Sequence, residues 1–144
     1  MNHFIVVDRA LDLVELTEIA TEEKFGAIAS FLGTVRSPNE GAEVLYIDYE
    51  GYRGMIEKQM QSVADELRDR YDLGHIVISH RLGRILPGET SIAIVISSRH
   101  RVDALAACRE CIDRCKDLLP IWKYEVTNRG SDWVPGHSNA SQPL

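Results

Sequence analysis

TSIAIVISSRHRVDALAACRECIDRCKDLLPIWKYEV, residues 90–126, decides the fold. It opens on TSIAIVISS at 90–98, an unbroken run of apolar and small residues that reads as a strand buried on both faces. Across 99–119, Val102, Leu105, Cys108, Ile112, Cys115 and Leu119 recur at three- and four-residue steps, the period of one helix face. Ser98 stands where an N-cap is wanted. Pro120 ends the helix, because the residue before a proline disfavours helical geometry. IWKYEV then returns to a strand pattern.

Upstream, HIVISHRLG at 75–83 reads as a second buried strand, with a turn at LPGE, 86–89. Before it, 53–71 carries Ile56, Met60, Val63, Leu67 and Tyr71 on one helical stripe, and Gly74 is the expected stop. FIVV at 4–7, GAIASFLGTV at 26–35 and VLYIDY at 44–49 read as strands, the last two separated by the loop SPNEG, 37–41. A short helix is expected over 11–24, with Leu13, Leu16 and Ile19 inward. Downstream, a turn at Asn128–Gly130 leads to a last short strand, and residues 136–144 read as a flexible tail. Strands and helices mix without regular βαβ alternation. That pattern predicts one α+β domain over 1–144 with a largely antiparallel sheet.

The chain has 144 residues, enough for a real core, and a formal net charge of -6. An acidic balance argues against non-specific nucleic-acid binding, which needs a basic footprint. No apolar run approaches the ~20 residues that span a bilayer, and the N-terminal stretch has no signal-peptide pattern. The three cysteines, Cys108, Cys111 and Cys115, suggest a reducing compartment. Their C-x2-C-x3-C spacing falls inside one helix without a histidine to complete a tetrahedral set. They are therefore expected in the core, and no metal site is expected. No Gly-rich phosphate loop, G-x-S-x-G elbow or H-E-x-x-H helix is present.

Three constellations bear on chemistry. Arg99-His100-Arg101 opens a helix, where free N–H groups and the helix dipole favour an anion and disfavour cations. The run is either a phosphate cradle or a solvated basic turn. Arg36 ends the strand FLGTVR, placed either to fork onto a phosphate or to sit on the surface. Lys116 lies at the edge of the helical stripe, and Lys123 lies between Trp122 and Tyr124. Apolar neighbours would lower such a lysine's pKa into the range of a general acid, base or nucleophile. The other reading is an exposed strand lysine.

In series, FLGTVR (31–36), YEGYRGM (49–55), HRLGRILPGE (80–89), RHR (99–101) and KDLLPIWK (116–123) resemble the large, catalytic subunit family of molybdopterin synthase. The likeness runs in consistent order over about residues 25–135. It implies an α/β hammerhead with an additional small antiparallel subdomain. It also implies a cytoplasmic sulfurtransferase of molybdenum cofactor biosynthesis that needs no cofactor. The implied reaction converts cyclic pyranopterin monophosphate to molybdopterin by adding two sulfurs as a dithiolene. The implied sulfur donor is a small ubiquitin-like subunit with a C-terminal Gly-Gly thiocarboxylate, and the assembly is a homodimer within a heterotetramer. Lys116 and Lys123 fall on the family's essential lysines. Thr34, Val35, Arg36, His100, Arg101, Tyr124 and Glu125 fall on its substrate-binding positions. Where some members carry an arginine beyond the last Trp-Val, this chain has Pro135, Gly136 and His137. Two other readings use the same residues without turnover: an adaptor that docks a partner's C-terminal tail, and a phosphate-ligand sensor.

Overall fold

The structure, a computed structural model, describes residues 1–134. The tail expected at 136–144 and the His137 position lie outside those residues. In chain order the elements are β1 (Asn2–Val7), α1 (Leu13–Ala20), β2 (Ala27–Thr34), β3 (Val44–Glu50), α2 (Arg53–Arg70) and β4 (Ile76–Arg81). There follow β5 (Gly83–Ile85), β6 (Thr90–Ser98), α3 (Arg101–Leu118), β7 (Trp122–Thr127) and β8 (Gly130–Val134). They build two four-stranded sheets, ordered β1-β4-β6-β2 and β5-β3-β7-β8. Among the described residues only β1 with β4 is parallel, and the other pairings are antiparallel.

The unbroken apolar runs have a simple cause: helices cover both faces of the first sheet. Ile76, Ile78, Ile92, Ile94 and Ile96 point to the large core shared with α2 and α3. Val77, Ala93 and Val95 point the other way, onto Leu16 and Ala20 of α1. Alternation therefore buries every residue from Ser91 to Ser98. Each fully buried isoleucine contributes about 1.5–3 kcal/mol relative to exposure.

Several boundaries differ from expectation. α1 is shorter than 11–24, because the Asp12 carboxylate accepts from the Val14 N–H and caps the helix there, while Thr21 is already extended. α2 ends at Arg70, where the extended Tyr71 bonds back to Leu67; Gly74 comes too late to be the stop. Its lack of a Cβ makes room for the ring of Phe25 instead. The N-cap of α3 is His100, not Ser98, whose hydroxyl donates to the His100 carbonyl.

The face α3 buries keeps Cys108, Ile112, Cys115 and Leu119 of the expected stripe and departs from it only in the first turns. Ala104, Ala107, Cys108, Cys111 and Cys115 pack inward, whereas Val102 and Leu105 are 69% and 61% exposed. Small residues let the helix lie close on the isoleucines of the sheet. The cysteines are free core thiols, as expected, and burial pushes Cys108 up to about 11. Arg114 forks onto Glu66 at 2.9 and 3.1 Å and ties α3 to α2 at the surface, worth about 1 kcal/mol or less.

The segment 75–83 is not one strand. β4 stops at Arg81, and Gly83, at φ 92, turns the chain out of the first sheet. β5 then pairs with β3 in the second sheet. This crossing places the end of β4 and the start of β6 against the second sheet, where the functional groups gather.

Candidate active site

The end of α3 brings Lys116 and Lys123 together. Leu119 is extended and bonds back to Cys115, and Pro120 bars a further turn. The chain reverses and enters β7 at Trp122. Gly51 permits the reversal, since a Cβ there would stand 3.0 Å from the Pro120 carbonyl oxygen. Lys116 occupies the last turn of the helix, and Lys123 is set opposite Tyr49 of β3. Directly opposed residues in an antiparallel pair share a face. Accordingly Lys123 Nζ lies 5.9 Å from the centre of the Tyr49 ring. The two lysines line a narrow cavity of about 30 Å³ with Tyr49, His80, Ser91 and Cys115.

Burial governs the electrostatics of this cavity. It lowers Lys123 to about 8; the charge of Lys116 lowers it further, while Glu125 opposes the shift. At pH 7 about a tenth of such an amine is unprotonated, enough to serve as base or nucleophile. Burial likewise brings His80 down to about 4, with the charges of Lys116 and Lys123 adding to it and its bond to the Arg81 carbonyl opposing. Burial raises the Tyr49 phenol, against a hydrogen bond with Ser91. His80 is therefore neutral at pH 7.

A wider, open cavity of about 860 Å³ adjoins this one, for Tyr49 and Lys123 line both. Thr34, Val35 and Arg36 form one wall, where β2 runs into the following loop. The Arg36 guanidinium donates to Asn39 Oδ1 at 3.1 Å, and the Asn39 amide donates to Glu125 Oε2 at 3.2 Å. Glu125 lies two residues beyond Lys123 on β7, so both point into this cavity. The arrangement offers a cation at the mouth, hydrogen-bonding groups along the wall and two amines at the inner end. It suits an anionic ligand whose reacting atom reaches the lysines.

Of the residues singled out in the sequence, Thr34, Val35, Arg36, Lys116, Lys123 and Glu125 are brought together. Tyr124 is not. Strand alternation turns it to the other face of β7, where its hydroxyl donates to Ser131 at 2.7 Å and its ring meets Trp133 at 5.1 Å. His100 and Arg101 are exposed at the opposite end of α3, about 22 Å of helix rise from Lys116. Tyr49, His80, Ser91 and Asn39 join the site unannounced by spacing, since each depends on contacts between distant segments. Tyr49 and His80 do stand at the heads of the motifs YEGYRGM and HRLGRILPGE.

Fold and site together define an α+β protein whose two sheets close on a lysine pair at the inner end of an anion-suited cavity. The profile of one protein family, described as MoaE protein, matches residues 6–118. A molybdopterin synthase catalytic subunit from Culex quinquefasciatus is 44% identical over 136 residues, covering 92% of this chain and 87% of the relative. One from Halalkalibacterium halodurans is 33% identical over 133 residues, covering 92% and 85%. Among solved structures, the X-ray crystal structure of molybdopterin synthase from Staphylococcus aureus aligns with a TM-score of 0.88 at 33% identity, over 93% of this chain and 98% of that one. A complex of subunits 1 and 2 of molybdopterin-converting factor from Helicobacter pylori aligns with a TM-score of 0.74 at 25% identity, over 99% and 94%. The chain belongs to the MoaE family.

Proposed function

We propose that the chain is the catalytic subunit of a molybdopterin synthase, working in the cytoplasm on cyclic pyranopterin monophosphate. The observation that carries the chemistry is the pairing of Lys116 and Lys123 in one narrow, buried cavity at the inner end of a wide one. Sulfur arrives as the C-terminal thiocarboxylate of a small ubiquitin-like partner; the relative from Helicobacter pylori is itself a two-subunit complex. Each transfer leaves sulfur bonded to the pterin and oxygen on the partner's tail, which ends as an ordinary carboxylate. At the pterin carbon a C–O bond gives way to a C–S bond; the acyl carbon exchanges its C–S bond for a C–O bond, the oxygen supplied by water or by the oxygen displaced from the pterin, and passes through an oxyanion. A lysine ammonium at that point stabilises the developing charge, and the Lys123 amine, at about 8, moves protons near neutral pH.

Arg36 holds the anionic substrate at the mouth. His100 and Arg101 are too far along α3 to serve the same molecule from the same chain. They serve it from a second copy, which makes the homodimer part of the site. The test is reconstitution of the chain with a thiocarboxylated partner and the pterin precursor. Dithiolene product should form with thiocarboxylate consumed at two per pterin, and a partner ending in a plain carboxylate should yield none. Product formation that ignores the thiocarboxylate would refute the assignment.

A further inference from the structure

His80, at the end of β4, is 6% exposed and lies in the lysine cavity with no part in the reaction described above. Its Nδ1 sits 2.8 Å from the Arg81 carbonyl oxygen. A carbonyl only accepts, so Nδ1 carries the proton. In a neutral imidazole the other nitrogen, Nε2, is then bare and can only accept. Nε2 makes no hydrogen bond to the described residues. The ring is fixed on its other side by Tyr49, with centroids 5.5 Å apart. The groups around it are Tyr49 from β3, Ser91 from β6, Cys115 and Lys116 from α3, and Lys123 from β7. The strong donors among them are the two lysine amines.

We propose that His80 is a positioning residue of this site, its bare Nε2 offering a fixed acceptor to the lysine amines that share the cavity. The choice of an imidazole follows from the chemistry. A carboxylate there would pair with an ammonium and hold it protonated, which suppresses proton transfer and nucleophilic attack. An apolar residue would leave the amines without a partner in a buried space. A neutral acceptor orients the amine and still lets it lose its proton. The single bond to the Arg81 carbonyl keeps the ring in the required tautomer, as a second partner commonly does for histidines at reacting centres.

The inference rests on the synthase reading, and two substitutions separate its parts. Asparagine reproduces the Nδ1 donor and drops the Nε2 acceptor; glutamine reproduces the acceptor and drops the donor. In the reconstituted assay His80→Asn should lower kcat by about 10- to 100-fold with little change in the pterin KM, the scale of one hydrogen bond to a charged group. His80→Gln should stay within about threefold of wild type. A His80→Asn protein with wild-type kcat, or a folded His80→Gln protein as impaired as His80→Asn, overturns the proposal. If His80→Asn does not fold, His80→Gln alone decides, since loss of turnover in that folded variant is the contrary result. An assay-free readout is the titration of the Lys123 side chain by ¹⁵N NMR. Loss of the acceptor destabilises the ammonium, so the Lys123 titration should move to lower pH in His80→Asn and not in His80→Gln. An unmoved titration would refute the role of His80 even if the synthase assignment stands. No product from the wild-type chain, with a titration that does move, would refute the synthase assignment and leave the acceptor in place.

Discussion

Lys123 answers to two opposed demands, for burial makes its amine usable and makes the folded state less stable. Its folded pKa of about 8 lies below the ordinary lysine value, so between the two the unfolded chain binds more protons than the native one. Stability contributed at this position therefore rises with pH across that interval, and the cost is largest below about 8. Lys123→Met should abolish turnover yet raise the melting temperature at pH 7, with the gain shrinking as pH climbs from about 8 toward 10.5. A melting temperature at pH 7 unchanged or lower than wild type would contradict this. Lys123→Arg should not restore activity, because arginine keeps its proton. His80 titrates with the same sign at lower pH. With a folded value near 4 against 6.5, it withdraws about 3 kcal/mol of stability as pH falls through that window. Denaturant titrations of His80→Asn should lack this share of the acid sensitivity. The sequence points correctly to a perturbed Lys123 but through the wrong neighbours. Trp122 and Tyr124 alternate onto the outer face, and the burial comes from Tyr49, Leu119 and Ile121 across the cavity. Adjacent residues in a strand do not share an environment, and the opposing strand is invisible to spacing.

At the scale of elements, α3 shows where periodicity informs and where it fails. The helix and its proline stop are readable in the sequence, and so is its role as a core element. Its phase in the first turns is not, because there the stripe through Val102 and Leu105 and the one through Ala104, Ala107 and Cys111 both fit a helical period. Hydrophobicity favours the larger residues, whereas close approach to a sheet of isoleucines selects the smaller. Ala107→Leu should therefore cost about 1–3 kcal/mol by overpacking. Leu105→Ala should stay within about 0.5 kcal/mol in the isolated chain, as surface changes do. Chemical denaturation of both variants checks the phase; the reverse order of costs would contradict it. β5 is unreadable for a different reason. Three residues carry too little pattern, and only the turn at Gly83 and the pairing with β3 make them a strand. The first sheet is itself foreshadowed by the apolar runs of β4 and β6, whose two-sided burial demands helices on both faces.

At the scale of the molecule, the separation of Arg101 from Lys116 is the feature that most constrains assembly. If the site is shared, Arg101→Ala and Lys116→Ala chains are each inactive alone, and a mixed dimer regains one intact site of two. Co-refolding equal amounts should recover about a quarter of wild-type activity, from random pairing of copies with closed twofold symmetry. No recovery would mean that Arg101 and Lys116 of one chain serve the same site, and full activity of the Arg101→Ala chain alone would mean that Arg101 takes no part. The central claim, that paired lysines carry out sulfur transfer, is tested most directly by single-turnover reaction of the Lys116→Ala, Lys123→Ala double variant with thiocarboxylated partner and pterin precursor. The account predicts a partner bound with nearly wild-type affinity and dithiolene formation slower by orders of magnitude. Near-normal product formation by that variant would contradict it and leave the cavity a docking site whose lysines do no chemistry.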